Sequence, residues 1–504
     1  MKSEVKLYSY LSNFKNILKL LLFSNLIFLF IYNLYLHPIA IKIISTKESN
    51  TDLEYYKGIF GNLEYASIIV IVLLLLTLFR FEKIKNYFND TLTKKNLLFF
   101  CIISNVTIQV LILLCITPEP ISDSKYYIDQ ANLLYKSGSY INSSGNLTAF
   151  WPIGLPAYLA FLKLFSTNFI VIAKLLNILI STGLIIVCYY VFDNYLSRFT
   201  LNLFIIIFTF FPNNLLSANI ILTDYPFTFF LWGSVLIMLK MYKESSVVLP
   251  VLVGIFSAFA SFLRPIGIVL PFIFAGILLL KRYPLGRINS IIILTVFLLI
   301  MLPWGIRNFS LFNSFIPVST NGGYNFLMGN HIYSSGGVNF NFEYNLLNTD
   351  ESDESRKAYD KAFNDILNNP LKSLIRIPKK ILYTYYRGDS SVTWGFKQVE
   401  ENINAIVISF IFYTTNLSFF LIILLNVYTI FSHRKRINAR KYSELLAPSI
   451  YMLLIIIVFF GSERFHIPQL PIHIFLAAKY FELKSKSYSN NNSFNYSFPP
   501  KERC

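Results

Sequence analysis

The sequence predicts an all-α polytopic membrane protein: a bundle of about twelve spans with two long extracytoplasmic loops that carry interfacial helices. Three observations predict it. Of the 504 residues 55% are hydrophobic and only 14% charged, where soluble domains carry roughly 25% charge, and the mean hydropathy is +0.53. Many Ile/Leu/Val/Phe runs approach the roughly 20 residues that a helix needs to cross a bilayer. These runs are continuously apolar, without the period-2 alternation in segments of about ten residues that marks a transmembrane β-barrel. A soluble enzyme and a barrel are thereby excluded.

In chain order the apolar runs predict spans at 14–36, 65–81, 97–117, 169–192, 200–217, 225–240, 247–262, 265–280, 288–304, 403–430, 445–461 and 467–482. The first runs into Leu36, His37 and Pro38 rather than a small-x-small cleavage site, so it reads as a retained span and not a cleaved signal peptide. With the N-terminus in the cytosol, the inward segments 1–19, 80–96, 193–199, 240–246, 281–287, 433–444 and 479–504 together hold the whole formal excess of +17. The basic balance is therefore topology by the positive-inside rule, and it implies no nucleic-acid partner. Cys101, Cys115, Cys188 and Cys504 contain no CxxC pair, and His37, His331, His433, His466 and His473 are scattered, so neither a disulfide framework nor a zinc cluster is indicated.

Two outward connections are long, 118–168 and 305–402. The first holds a helix-like stretch from Ser124 to Lys136, a turn region at Gly138 to Gly145, and the block Trp151-Pro152-Ile153-Gly154-Leu155-Pro156. The second holds turn signals at Asn321-Gly322-Gly323 and Ser334 to Gly337, then the acidic patch Asp350 to Glu354. An amphipathic helix follows from Arg356 to Tyr386, with interruptions expected near Pro370 and Pro378 and a place along the membrane surface. Loops of this length suggest a recognition or chemical site on the outer face. The Ser/Asn-rich tail from Ser485 to Cys504 reads as disordered.

Ionisable residues at outward span ends are the informative ones. Asp123 follows the third span, Asp224 sits between the fifth and sixth, Arg264 between the seventh and eighth, Arg307 after the ninth, and Glu463 with Arg464 between the last two. Each alone has a bland reading: an arginine at a span end can snorkel, as can Lys174 inside its span, and Asp123 can cap the helix that follows. Asp129 and Glu119 read as solvated or packing residues, Trp304 and Trp394 as members of the interfacial aromatic belt. The convergence of five crossings on one leaflet boundary carries more weight than any member. Carboxylates suited to proton abstraction beside arginines matched to phosphate oxygens fit a lipid-linked phosphate substrate. A sugar transferase working outside the cytosol must draw on such a carrier: a carboxylate takes the acceptor hydroxyl's proton while arginines stabilise the departing polyprenyl phosphate, and one such displacement inverts the anomeric centre.

At these residues the chain resembles the GT-C superfamily of polyprenyl-phosphate-dependent glycosyltransferases, in particular the branch of protein O-mannosyltransferases and lipid A aminoarabinose transferases (glycosyltransferase family 39/83-like). The resemblance spans about 97–482. It rests on Asp123, Tyr127, Ala131 and Gly138, then Pro152-x-Gly154-x-Pro156, Leu222-Thr223-Asp224-Tyr225-Pro226-Phe227 and Leu263-Arg264-Pro265. It continues through Pro303-Trp304-x-x-Arg307-Asn308, Asn321-Gly322-Gly323-x-Asn325 with Gly329-Asn330, and Gly461-x-x-Arg464-Phe465-x-x-Pro468-x-x-Pro471.

The resemblance implies a GT-C type transmembrane catalytic domain over 97–482, preceded by two extra N-terminal helices and a cytosolic loop in 1–96 and followed by the tail 483–504. It implies Asp123 as catalytic base, Asp224 as the second acidic position, Arg264, Arg307 and Arg464 as donor-phosphate contacts, and Asn308, Lys174 and Tyr127 as further substrate-binding residues. Ser124 follows Asp123 where protein mannosyltransferases often carry an Asp-Glu pair, which counts against transfer of mannose to protein. No essential cofactor is expected, although Asp123 and Asp224 leave open a shared divalent cation. The expected partners are a polyprenyl-phosphate sugar donor, membrane lipids and an acceptor glycan, lipid or protein. The abundance of Asn, Ile, Lys and Phe points to a bacterial inner membrane. A lipid-linked saccharide transporter or flippase is the alternative, although its charges would sit near the midplane. An O-antigen ligase or polymerase is a second alternative, against which the Asp123 and Trp151–Pro156 block argues.

Overall fold

The computed structural model describes residues 2–32, 51–80, 96–339, 342, 350–397, 399, 403–433 and 440–494. Among these residues it is helical, with no named strand and only two isolated bridges, Pro118 with Val399 and Ile141 with Leu147. In chain order the helices are α1 (Lys2–Ile31), α2 (Thr51–Phe79), α3 (Leu97–Cys115), α4 (Ser122–Ser137), α5 (Gly154–Lys163), α6 (Phe169–Asp193), α7 (Arg198–Phe210), α8 (Pro212–Leu216), α9 (Asp224–Met241) and α10 (Val248–Leu263). Then come α11 (Leu270–Leu280), α12 (Gly286–Phe312), α13 (Gly322–Asn330), α14 (Glu351–Asn368), α15 (Pro370–Tyr385), α16 (Ser390–Phe396), α17 (Ala405–His433), α18 (Ser443–Val458) and α19 (Leu470–Phe494).

Five of these helices are long and apolar enough to cross a membrane: α2, α3, α6, α12 and α17. A sixth follows if the pair α7 and α8, bent by 48° at Phe211-Pro212, is one span. The bend has a local cause, since proline cannot donate to the preceding turn. The apolar stretches Val248–Leu263, Pro265–Leu280 and Ser443–Val458 are helical but shorter. At about 1.5 Å per residue a 16-residue helix such as α10 or α18 reaches some 24 Å, less than the roughly 30 Å hydrocarbon core.

Several boundaries depart from the sequence reading. Helix α2 begins at Thr51, well before position 65, because the polar-looking Tyr55 to Glu64 stretch buries Ile59 and Leu63. Helix α12 continues past 304 to Phe312 with Pro303 inside it, so Arg307 and Asn308 lie on the helix rather than after it. The expected amphipathic helix breaks at Asn369-Pro370 into α14 and α15, yet Pro378 is absorbed within α15. Helix α19 runs on to Phe494, into the stretch expected to be disordered, while 495–504 lie outside the described residues, as does His37.

The main core is aromatic and aliphatic. Phe192 stacks on Phe475 at 4.9 Å and packs against Phe204 and Trp232, which joins α6, α7, α9 and α19. A second core ties the N-terminal helices to α17: Ile59 and Leu63 pack with Tyr413, and Ser409 donates to the Ile59 carbonyl at 3.2 Å. Outward-facing Leu73, Leu76, Phe99, Phe100, Leu298 and Leu299 are exposed, as lipid-facing positions are.

Candidate active site

Four side chains from four separate segments meet at one end of the bundle. Helix α4 begins at Ser122, whose φ of 46° lies in the left-handed region that non-glycine residues rarely occupy. Such strain is stored where surrounding structure overdetermines it. Asp123 lies in the first turn of α4, whose N-cap is Ile121, so the bland helix-cap role is not the one it plays. Asp224 is the first residue of α9, where the helix dipole favours a carboxylate. Arg264 closes α10 in an extended conformation (φ −144°, ψ 127°), the one that Pro265 imposes on its predecessor. Arg464 lies in the 3₁₀ turn Glu463–Gln469 between α18 and α19.

Arg464 grips both carboxylates. Its Nη1 donates to Asp123 Oδ2 at 2.6 Å and its Nη2 to Asp224 Oδ2 at 2.8 Å. The other oxygen of Asp224 accepts from Arg264 Nη1 at 2.8 Å. The Asp224 side chain is 2% exposed and that of Asp123 26%. Asp123 is thus the carboxylate a substrate can reach, and Asp224 the buried anchor that orients two guanidiniums. Arg464 Nε is buried without a hydrogen-bond partner, which leaves one donor of the fork uncommitted. The guanidinium lies across Trp394 at 4.9 Å from the ring centre, and Arg264 lies 5.4 Å from the Phe465 ring. The Arg464 guanidinium stands between Asp123 Oδ2 and Asp224 Oδ2. Among the described residues no group of three or more His, Cys, Asp or Glu is placed to hold a metal.

Tyr127 is buried one turn after Asp123, edge-on to Trp151 at 5.7 Å. Burial, and then the Asp123 carboxylate, push its phenol well above the usual range, so it stays protonated. Lys174 is buried in α6 and lines a cleft of about 290 Å³ together with Glu119, Ser124, Asn219 and Trp394. A second cleft of about 340 Å³ opens beside it, bounded by Asp224, Tyr225, Arg464 and the start of α16; Ile220 and Trp394 line both. Glu119 and Asp129 are exposed, as expected.

Arg307 and Asn308 do not join this cluster. Arg307 donates to the Thr148 carbonyl at 2.7 Å, the Tyr140 carbonyl at 3.0 Å and Asn308 Oδ1 at 2.9 Å, and packs 4.7 Å from the Trp304 ring centre. Asn308 is fully buried and donates to the Ile316 carbonyl at 2.9 Å. Arg307 staples the first outer loop to α12, and Asn308 the start of the second. Trp304 also holds the second, donating to the Val318 carbonyl at 2.7 Å.

The sequence reading missed several residues. Trp394 belongs to the site rather than to an interfacial belt, because α16 folds back over the turn that carries Arg464. Arg387 pairs with Asp389 at 3.0 Å and reaches Glu463 at 3.5 Å, with Tyr56 of α2 at 3.3 Å, so the N-terminal helices reach the segments that flank the site. Glu351 is buried and accepts from Thr148 Oγ1, from the Ala149 amide at 2.9 Å and from Thr320 Oγ1 at 3.1 Å, which ties the two outer loops together. All three lie inside a long loop, where the pattern of charges at span ends gives no signal.

No protein-family model matches the chain, and no curated protein matches it. Among solved structures, the archaeal oligosaccharyltransferase AglB from Archaeoglobus fulgidus, in complex with an inhibitory peptide and a dolichol-phosphate, is similar at a TM-score of 0.47 and 12% identity, over 81% of this chain and 52% of that one. The Archaeoglobus fulgidus oligosaccharyltransferase in its apo form is similar at a TM-score of 0.47 and 11% identity, over 81% and 53%. Its complex with Zn and sulfate is similar at 0.46 and 14%, over 78% and 50%. The chain spans about half of their length.

Proposed function

We propose that this protein is an integral membrane glycosyltransferase of the GT-C type that moves a sugar from a polyprenyl-phosphate donor to a glycan, lipid or protein acceptor on the outer face of the membrane. The observation that carries the reading is the Arg464 clamp: two carboxylates and two arginines from four distant segments, assembled at one end of apolar helices beside a cleft. In this reading all twelve apolar runs are membrane-embedded, the N-terminus is cytosolic, and the bilayer is a bacterial inner membrane.

Roles follow from exposure and hydrogen bonding. Asp123, the accessible carboxylate, takes the acceptor hydroxyl's proton as that oxygen attacks the anomeric carbon, and the carbon–oxygen bond to the carrier phosphate breaks on the opposite face. Asp224 holds Arg264 and Arg464 in place. Arg464 Nε and the uncommitted N–H groups of Arg264, with Lys174 in the adjoining cleft, meet the departing phosphate. Tyr127 buttresses the Asp123 turn. Arg307 and Asn308, proposed from sequence as phosphate contacts, act instead by fixing the outer loops, Arg307 the first and Asn308 the start of the second.

The test is transfer of radiolabelled sugar from synthetic polyprenyl-phosphate sugars to membrane fractions, for wild type and Asp123→Asn. Transfer by wild type that falls at least a hundredfold in a folded Asp123→Asn protein supports the proposal. Full activity in the variant would remove Asp123 as base.

A further inference from the structure

Helices α1 and α2 supply no side chain to the clamp, yet α2 reaches its surroundings through one residue. Arg387 lies in the short segment between α15 and α16, its side chain 17% exposed. Its Nη1 donates to the hydroxyl oxygen of Tyr56 on α2 at 3.3 Å. Its Nη2 lies 3.5 Å from Glu463 Oε1, and its Nε lies 3.0 Å from Oδ1 of Asp389, a fully buried carboxylate. Glu463 immediately precedes Arg464. Asp389 immediately precedes α16 and accepts from Thr393 Oγ1 at 2.6 Å, inside the helix whose Trp394 ring lies against the Arg464 guanidinium. One guanidinium therefore touches α2, the residue before Arg464 and the start of the helix packed on Arg464.

The backbone around Arg387 is held without it. The Gly388 amide donates to Asn416 Oδ1 of α17 at 2.8 Å, the Gly388 carbonyl accepts from Asn213 Nδ2 of α8, and Asn213 Oδ1 accepts from the Ser391 amide at 3.1 Å. What the Arg387 side chain adds is a link between elements that these bonds leave independent: α2 on one side and the Glu463–Arg464 turn on the other. We infer that Arg387 is a positioning residue for Arg464, and that α2 steadies it through Tyr56, which makes the N-terminal helices part of the working site. The inference rests on the transferase reading, in which Arg464 meets the departing phosphate. A fork that holds two carboxylates through separate nitrogens tolerates little rotation of the turn that carries it. A misplacement of about 1 Å caused far from the chemistry can cost about a hundredfold in rate. Were Arg387 only a stabilising ion-pair partner, its loss would lower stability and leave Arg464 where it is. A positioning residue, when altered, displaces Arg464 in a protein that still folds.

The experiment uses the full chain in lipid nanodiscs, with its four tryptophans replaced by 5-fluorotryptophan and the Trp394 resonance identified by its loss in Trp394→Phe. That ring reports on the guanidinium 4.9 Å from its centre, and Arg464→Lys supplies the signal of an altered cation. The variants are Arg387→Lys and Glu463→Gln, which both leave Asp389 a counter-charge, and Tyr56→Phe, which removes one hydroxyl. The expected result is a Trp394 resonance displaced in all three, least in Tyr56→Phe, with denaturant unfolding little changed. In sugar transfer kcat falls about tenfold in Arg387→Lys and Glu463→Gln and about threefold in Tyr56→Phe, KM stays within about twofold, and none of the three adds its full loss to that of Arg464→Lys. An unmoved Trp394 resonance in Arg387→Lys and Glu463→Gln, transfer unchanged in both, or losses that multiply with that of Arg464→Lys overturns the positioning role. Displacement in those two with Tyr56→Phe unmoved overturns the part assigned to α2 alone. If wild type transfers no sugar from any polyprenyl-phosphate donor, the transferase reading falls, and the Trp394 resonance by itself upholds or overturns the link from α2 to Arg464.

Discussion

Arg464 makes the sharpest prediction, because it holds both carboxylates through separate nitrogens. Arg464→Lys keeps the charge but replaces a planar fork by a single point donor, so at least one of the bonds at 2.6 and 2.8 Å is lost. A hydrogen bond to a charged group is worth about 1.5–3 kcal/mol, which is about a 10- to 150-fold loss of kcat/KM. Arg464→Ala also strips a counter-charge from Asp224, whose side chain is 2% exposed. Breaking such a buried pair destabilises the fold by about 3–5 kcal/mol, and the surviving Arg264 contact places the loss toward the lower figure, as read by denaturant unfolding. Asp123, 26% exposed, adds less because water screens it. The assay is sugar transfer by purified protein, with monodispersity on size exclusion to establish folding, together with a double-mutant cycle against Asp123→Asn. Coupling of at least about 1 kcal/mol is expected. An Arg464→Lys enzyme within twofold of wild type, or an additive cycle, would refute the clamp.

Two further outcomes concern the second outer loop that backs the Arg464 turn. A Cβ on Gly461 would overlap the Lys380 carbonyl oxygen and lie 2.9 Å from Tyr383 Cβ, so Gly461→Ala should destabilise by at least about 1–3 kcal/mol and slow transfer, as read by denaturant unfolding and the radiolabel assay. Lys380 is 2% exposed and donates to Asn330 Oδ1 at 2.8 Å and to the Ile457 and Val458 carbonyls at 3.0 and 3.2 Å. Burial, then the nearby Arg376 charge, lower its pKa to about 7. The unfolded chain binds the proton more tightly, so stability should rise with pH from about 7 toward 10, by up to roughly 1.4 kcal/mol per pH unit. Lys380→Met should abolish that slope in unfolding measurements between pH 7 and 9, and a slope unchanged in the variant would show that another group titrates.

The helices were legible because lipid demands long apolar runs whose backbone bonds are satisfied within the segment. Asp123, Asp224, Arg264 and Arg464 were legible because an ionisable residue at an outer span end breaks the pattern around it. Position along a span does not say where a side chain turns. Arg307 occupies the same kind of place as Arg264, yet the first outer loop folds over it and its donors go to the Tyr140 and Thr148 carbonyls. Trp394 and Ser390 lie within a loop and carry no charge signal, and only the fold of α16 over the Arg464 turn brings them to the cleft. Glu351 looks like one more solvated acid in Asp350 to Glu354 until both outer loops close on it. The sequence by itself determined the apolar helices and the chemistry offered at their outer ends, because solvation by lipid acts on each segment separately. Which of those groups share one site was decided by tertiary structure alone, since an ion pair between residues 341 positions apart exists only once the helices have packed.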